Sequence, residues 1–136
     1  MDSARSIAVV FNADLVANGV PKWWLAQYGL TPDDSGALYS DGDGALAWQE
    51  YYADTDPTNL ASALRFVSLS SLTNAVRLGW QGGVMATQYI ESCSNLCTNP
   101  VTWVAVFTNP PPTSITNHLD IGTTNSPRFY RIRATR

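Results

Sequence analysis

The sequence predicts an α+β protein in which a small paired loop-helix unit packs on an antiparallel β-sandwich of six or seven strands. In the first half, an acidic glycine-rich loop runs straight into a helix, and the pattern around it repeats after 25 residues, from Trp23 to Trp48. In the second half, short runs of β-branched and aromatic residues alternate with turn residues, which is typical of a sandwich. These observations predict three parts: an N-terminal strand within residues 1–13, a helix pair at 14–59 and a β-sandwich at 60–136.

Composition and charge exclude several classes of protein. The 136 residues are 45% hydrophobic and 14% charged, which is enough apolar material for a core and too much for a disordered chain. No apolar run approaches the roughly 18 residues of a membrane helix, so we expect no membrane span. Lys22 is the only lysine and the net charge is −3, so we expect no basic surface that would bind nucleic acid. The apolar run at residues 7–11 is too short for a signal peptide, so we expect any export signal to lie upstream of this chain.

The acidic loop carries the candidate metal ligands. Asp41 and Asp43 lie two residues apart, Gly44 follows, and Glu50 comes six residues later, as in the second half of the pattern D-x-[DN]-x-[DN]-G-x5-E. Calcium is bound by six to eight oxygen atoms. We therefore predict one weak calcium site formed by these three carboxylates and the carbonyl of Ala45.

The first ligand position of this pattern is Tyr39, where a carboxylate is expected. Because a phenol cannot replace a carboxylate, Asp34 or Asp56 is the candidate for the missing oxygen. The alternative interpretation is an acidic loop that caps the helix without binding a metal.

One strand and one helix are predicted before the acidic loop. Residues 6–11 read Ser-Ile-Ala-Val-Val-Phe, a short apolar run that favours a strand. A helix is predicted at residues 21–28, since Pro21 suits a helix start and Gly29 suits a helix end.

The 25-residue repeat predicts how the two helices pack. A repeat of this length indicates one supersecondary unit used twice, each copy too small to bury its own apolar face. We therefore expect the helices to pack on each other with Trp23 and Trp48 between them. In the first copy Val16 and Leu25 stand in the places of an Asp and of the bidentate Glu, so the first loop should not bind calcium.

Residues 19–30, 41–51 and 55–59 together resemble the paired, EF-hand-like loop-helix units of dockerin-like and thrombospondin type 3-like calcium repeats. Such pairs recur near the C-termini of large secreted bacterial proteins, where a small β-sandwich follows them. The resemblance implies calcium as the cofactor and a location that is extracellular or on the cell surface.

The second half predicts the strands of the sandwich. Six strand-like segments lie at residues 64–69, 75–80, 87–91, 103–108, 114–119 and 128–134. In the last of them Tyr130, Ile132 and Ala134 alternate with arginines, which predicts one buried face and one solvent-exposed face. The pair Gly82-Gly83 predicts a hairpin turn between the second and third segments.

The placing of Trp80, Tyr89 and Trp103, with the Tyr130-x-Ile132-x-Ala134 pattern, resembles a fibronectin type III-like module. That fold has seven strands, and six are predicted here after the helix pair. The resemblance implies an open sheet edge. Residues 6–11 are the candidate for pairing there, either within their own chain or by strand addition to a neighbouring copy.

The two cysteines, Cys93 and Cys97, have the spacing C-x3-C. Without a second Cys or His pair nearby, this spacing argues against a zinc site. In an exported protein a loop disulfide is the expected state, and two reduced thiols are the alternative.

We expect no enzymatic activity. His118 and Asp120 lack a nucleophile in an elbow-like context, and the only two glutamates, Glu50 and Glu91, do not suggest a glycosidase pair. The patterns favour a structural or assembly module whose partners are the upstream region of its own protein or copies of itself.

The alternative function is a carbohydrate- or protein-binding module on a secreted or cell-surface protein, with a polysaccharide or a surface protein as ligand. Trp24, Tyr51 and Tyr52 have no core assignment in the pattern and are the candidate ligand aromatics. We also expect Tyr51, Tyr52 or Leu60 to join the helix pair to the sandwich.

Overall fold

The computed structural model describes residues 14–36, 41–123 and 127–136. The helical elements are α1 (Lys22–Gln27), a 3-10 turn (Pro32–Gly36) and α2 (Ala47–Ala53). The strands are β1 (Arg65–Ser71), β2 (Ala75–Gln81), β3 (Thr87–Cys93), β4 (Val104–Asn109), β5 (Thr116–Gly122) and β6 (Phe129–Thr135). The predicted sheet-rich α+β class is therefore confirmed, and each predicted strand segment after residue 60 overlaps one strand. The strand predicted at residues 6–11 lies outside the described residues.

The six strands form two antiparallel sheets of three strands, in the orders β1-β2-β5 and β4-β3-β6. The chain thus leaves the first sheet after β2 and enters the second at β3. The predicted hairpin at Gly82-Gly83 is wrong, because these glycines join two sheets. Gly83 donates its N–H to the carbonyl oxygen of Ala53 (3.2 Å), and a Cβ on Gly83 would overlap the Asp54 carbonyl. The tight contact with α2, and not a two-residue turn, explains the glycine.

Both sheets contribute to one apolar cluster, which we call the sheet cluster: Leu78, Trp80 and Ile90. Trp80 is fully buried and donates its indole N–H to Oε1 of Gln88 (2.7 Å), so its polar atom is satisfied. On β6 the predicted alternation is confirmed. Its inward residues are half-buried and its arginines are exposed.

The helices form a second apolar cluster, the helical cluster: Val20, Trp24, Leu25 and Ala47. Trp24 is 3% exposed, and its ring lies 4.9 Å from that of Tyr28 and 5.4 Å from that of Tyr51, between centroids. Trp23, in contrast, is 60% exposed. The prediction that Trp23 packs between the helices is wrong, because adjacent helix positions point about 100° apart and only Trp24 lies on the same face as Tyr28.

The helical part meets the sheets at the C-terminal end of α2. Asp54 has a left-handed backbone (φ 58°), and its Oδ2 accepts the N–H of Met85 (2.8 Å). Its Oδ1 lies 3.1 Å from Nη2 of Arg136, whose guanidinium also lies 5.2 Å from the centroid of the Tyr51 ring. Of the three residues predicted at this junction, Tyr51 contacts the guanidinium of Arg136. Leu60 is 54% exposed.

Candidate metal centre

Three carboxylates meet where the acidic loop enters α2. Asp41, Asp43 and Glu50 each offer an oxygen atom, and these atoms all lie within 4.8 Å of one another. Gly42 and Gly44 have positive φ angles of 83° and 90°, which lets the loop turn around the carboxylates. The predicted acidic group is therefore assembled in the fold, and it is a group that could hold a metal ion.

The two aspartates use one oxygen each to build the loop. Oδ1 of Asp41 accepts the N–H of Asp43 (3.0 Å), and Oδ1 of Asp43 accepts the N–H of Ala45 (2.7 Å). At the helix start, Oε1 of Gln49 accepts the N–H of Leu46 (2.8 Å). These bonds fix the loop and leave the Oδ2 atom of each aspartate buried without a hydrogen bond.

Four carboxylate oxygens in this group are buried and accept no hydrogen bond: Oδ2 of Asp41, Oδ2 of Asp43, and both Oε1 and Oε2 of Glu50. Glu50 is 1% exposed. A buried, unpaired carboxylate is destabilising by several kcal/mol. Burial, together with the negative charges of Asp43, Asp41 and Asp56, raises the pKa of Glu50 to about 8. The group has the oxygen chemistry of a hard divalent cation site, since a cation would satisfy all four atoms.

The two residues predicted to supply a further oxygen lie outside this group. The carboxylate of Asp34 is engaged in its own turn, because its Oδ2 accepts the N–H of Thr31 (2.6 Å) and the hydroxyl of Thr31 (2.8 Å). These bonds lower the pKa of Asp34 below its ordinary value. Asp56 likewise accepts the N–H (3.0 Å) and the hydroxyl (2.7 Å) of Thr58 with Oδ1, and it acts on Glu50 through its charge. Tyr39 lies outside the described residues.

In the first loop, Asp14 is exposed and forms an ion pair with Lys22, with 2.9 Å between Oδ2 and Nζ. Val16 packs against the helical cluster. Leu25, at the position equivalent to Glu50, is fully buried in that cluster. An apolar residue therefore fills the place that a ligand occupies in the second copy of the repeat.

The predicted disulfide is not formed in the structure, where Cys93 and Cys97 are both free. Cys93 is the last residue of β3, pairs with Phe129 and is 5% exposed. Cys97 is exposed in the following loop, where its N–H donates to Oδ1 of Asn95 (2.8 Å). The Cys93 thiol is therefore buried at the end of β3, whereas the Cys97 thiol is exposed in the loop that follows.

The candidate ligand aromatics do not form a flat platform. Trp24 lies in the helical cluster, which overturns the expectation that it has no core position. Tyr51 and Tyr52 are half-buried, and their rings meet edge-on at 68° with 5.3 Å between centroids. The exposed aromatic side chain on α1 is Trp23.

Sequence reasoning missed a charged network on the outer face of the second sheet. Glu91 is 7% exposed and accepts hydrogen bonds from Nε of Arg131 (2.6 Å) and Nε of Arg133 (3.3 Å). Those arginines also lie over aromatic rings, Arg131 over Trp103 (4.5 Å) and Arg133 over Tyr89 (4.2 Å). The signal was present in the sequence as arginines at alternate positions of a strand.

His118 is exposed, and Asp120 is engaged by Arg77. The guanidinium of Arg77 donates to both Oδ1 (2.6 Å) and Oδ2 (2.7 Å) of Asp120, and this pairing lowers the pKa of that carboxyl. The pair is a bidentate cross-strand contact between β2 and β5.

Comparison of the chain with protein-family models, with curated proteins and with solved structures gives no match. In the part of the chain that the structure describes, no helix is long and apolar enough to span a membrane. The acidic group and the fold are therefore the observations from which a function is argued.

Proposed function

We propose that this protein is a non-catalytic extracellular structural module that binds one calcium ion between its acidic loop and α2. The single observation that carries the proposal is Glu50: both of its carboxylate oxygens are buried and accept no hydrogen bond, and it is grouped with two aspartates that each have one oxygen in the same state. A carboxylate in this position is costly without a cation and favourable with one.

The ligand set favours calcium. The site offers oxygen atoms from three carboxylates, with no nitrogen or sulfur ligand in the group, which suits a hard cation. Glu50 is positioned to contribute two oxygens and the two aspartates one each. The Ala45 carbonyl and water are expected to complete six to eight ligands. With the first loop position occupied by Tyr39, we expect affinity in the weak range of roughly 10⁻⁴ to 10⁻³ M.

A structural role follows from where α2 lies. The helix carries Glu50 on the metal side, and its C-terminal end contacts Gly83, Met85 and Arg136. An ion that fixes α2 to the acidic loop would also fix the surface that contacts the sheets. This arrangement supports the proposed dockerin-like or thrombospondin type 3-like pair braced against a fibronectin type III-like sandwich.

Calcium titration of chelator-stripped protein by calorimetry tests the proposal. We expect one site, and we expect it to be lost in Glu50→Gln, which keeps the shape of the side chain and removes its charge. The matched control is Asp33→Asn, which removes one exposed acidic charge from the 3-10 turn. Binding that is equal in the two variants, or absent from the wild type at millimolar calcium, would refute the calcium site.

The exposure of Trp23 favours the second candidate, a carbohydrate- or protein-binding module. A tryptophan that is 60% exposed on a short helix offers a face on which a sugar ring can stack. Binding of polysaccharides by the wild type, lost in Trp23→Ala and kept in the Glu50→Gln variant, would support this function over a purely structural one.

A further inference from the structure

We propose that the outer face of the second sheet is a docking surface for an acidic polypeptide segment of another protein, whose carboxylates bind Arg131 and Arg133. The inference goes beyond the calcium site and does not depend on it. It rests on the donor atoms that these arginines leave free, on the contacts that hold their side chains, and on the charge and composition of the face.

The face is built by alternate residues of β3 and β6. Glu91 pairs with Arg131 across the two strands, and Tyr89 pairs with Arg133. Residues directly opposite each other in an antiparallel pair lie on the same side of the sheet. Ile90, between the two β3 residues, belongs to the sheet cluster on the other side. The four side chains therefore form one group on the side away from the core.

Both arginines have donor atoms to spare. Arg131 and Arg133 donate Nε to Glu91, at 2.6 and 3.3 Å, and their side chains are 45% and 44% exposed. Their terminal nitrogens, Nη1 and Nη2, donate no hydrogen bond to any residue that the structure describes. Arg77 on β2 is equally exposed, at 44%, yet it donates both Nε and Nη2 to Asp120. Because a guanidinium carries five N–H donors, the two arginines of the second sheet can each bind a further carboxylate.

Aromatic rings fix the two guanidinium groups. The Cζ atom of Arg131 lies 4.5 Å from the centroid of the Trp103 ring, and that of Arg133 lies 4.2 Å from the centroid of the Tyr89 ring. Together with the hydrogen bonds to Glu91, these contacts hold both side chains in place before a ligand arrives. An arginine that is already ordered loses less conformational entropy on binding than a free one.

The charge of the face is opposite to that of the chain. β3 contributes Glu91 as its only charged residue, and β6 contributes Arg131 and Arg133. Residues 94–109, which form the connecting loop and β4, contain no charged residue. The side chain of Glu91 is only 9% exposed, so a partner meets the arginines first. The face is therefore net positive on a chain whose net charge is −3, and it attracts a negatively charged partner.

The composition of the face favours a polypeptide over an acidic polysaccharide. Phe129 is 41% exposed and, by the alternation of the strand, lies on the same side of β6 as the arginines. Arginine and aromatic residues side by side are typical of protein–protein interfaces. A sugar ring would need a free aromatic face, whereas a guanidinium group already covers one face of Trp103 and one of Tyr89.

A second copy of this chain is a poor source of the carboxylates. Outside the acidic group, most of the aspartates that the structure describes already bind a neighbour, and exposed Asp33 is the exception. The engaged residues are Asp14 with Lys22, Asp34 with Thr31, Asp54 with Met85 and Arg136, Asp56 with Thr58, and Asp120 with Arg77. The observations therefore favour a different protein as the partner.

Binding of a fluorescent glutamate–tyrosine copolymer to the full chain, measured by anisotropy, tests the proposal. The measurement is made in chelator, so that no calcium ion bridges carboxylates and the result is independent of the calcium site. We expect the wild type to bind the copolymer at low ionic strength and to bind it less tightly as salt is added. In Arg133→Gln the affinity should fall at least about tenfold, as is typical of an arginine at the centre of an interface. Arg131 still pairs with Glu91 in this variant, so no buried carboxylate is left alone.

The matched control is Arg77→Gln, which removes the same charge from an arginine of equal exposure on the first sheet and should leave the affinity unchanged. Near-UV circular dichroism shows whether each variant is folded. If Arg133→Gln is unfolded, Phe129→Glu decides the question, because it keeps both arginine pairs and adds a repelling charge to the face. Phe129→Glu should weaken binding at least about tenfold, whereas Leu69→Glu, at a 73% exposed position of β1, should not.

Absence of copolymer binding by the wild type, or an equal loss in Arg133→Gln and Arg77→Gln, would overturn the proposal. Binding of polygalacturonate without binding of the copolymer would assign the face to an acidic polysaccharide and overturn it as well. A doubled mass in sedimentation that Arg133→Gln abolishes would assign the face to a second copy and overturn the choice of a different protein.

Discussion

Replacing Glu50 with Gln should stabilise the protein in the absence of calcium, and calcium should reduce this advantage because only the wild type binds the ion. Without the ion, the folded protein holds Glu50 at a pKa of about 8, against 4.5 for an ordinary glutamate. Because the folded state keeps the proton up to a higher pH than the unfolded chain, stability falls as pH rises from about 4.5 to 8. At pH 7 this corresponds to roughly 3 kcal/mol, or about 10 °C in melting temperature for a chain of this size.

Glutamine carries no such charge, so Glu50→Gln should be nearly pH-independent over this range. In chelator it should match the wild type near pH 5 and melt at a higher temperature than the wild type near pH 8. In about 10 mM calcium the wild type should gain roughly 1.4 to 2.7 kcal/mol, given the expected affinity, and the variant should gain none. The difference in stability between the two proteins at pH 8 should therefore narrow when calcium is added.

Differential scanning calorimetry at pH 5 and pH 8, with chelator and with calcium, measures all four states. Asp33→Asn should follow the wild type throughout. A Glu50→Gln variant that melts with the wild type at pH 8 in chelator would show that the carboxylate is not destabilising in the folded protein. An equal calcium response in both proteins would show that the ion binds elsewhere.

Three further predictions concern other residues. Tyr39→Asp restores the first acidic position of the loop pattern, so calorimetry should show calcium affinity raised by about tenfold or more; unchanged affinity would exclude that position from the ligand set. Trp24→Ala should destabilise by about 3 to 5 kcal/mol in denaturant unfolding and Trp23→Ala by less than about 0.5 kcal/mol, and equal effects would contradict the assignment of Trp24 to the helical cluster. Burial alone would raise the pKa of Glu91, but hydrogen bonds from its two arginines lower it overall; its stabilisation is therefore present above the ordinary pKa and lost in acid, and Glu91→Gln should cost about 1 to 3 kcal/mol at pH 7 and little at pH 3.

The sequence predicted best the features that depend on local pattern. The alternation of Tyr130, Ile132 and Ala134 determines which face of β6 is apolar. The spacing of Asp41, Asp43 and Glu50 brings three carboxylates together where the acidic loop enters α2. Both arise from the geometry of a single element, period two in a strand and a loop leading into a helix. No knowledge of the remaining fold is needed for either.

The features that depend on contacts between distant segments could not be predicted in this way. Two glycines between strand segments are typical of a hairpin, yet Gly83 is required by the approach of Ala53, which is 30 positions earlier. Trp23 and Trp24 are the same residue type at adjacent positions, so only the packing of α1 distinguishes the buried one. The sequence pattern allows Asp34 as a ligand, but its carboxylate accepts two hydrogen bonds from Thr31.

The contacts at the end of α2 also have a consequence for the order in which the protein assembles. The helical cluster joins residues 20 to 47, so it can form early during synthesis, but its docking partners are Gly83, Met85 and finally Arg136. Since chains emerge from the ribosome starting at the N-terminus, the helices are expected to collapse first and to form the contact between Asp54 and Arg136 only after β6 has emerged. Protease protection of α2 in ribosome-bound chains of increasing length would rise in two steps under this order, and a single step once Arg136 has emerged would contradict it.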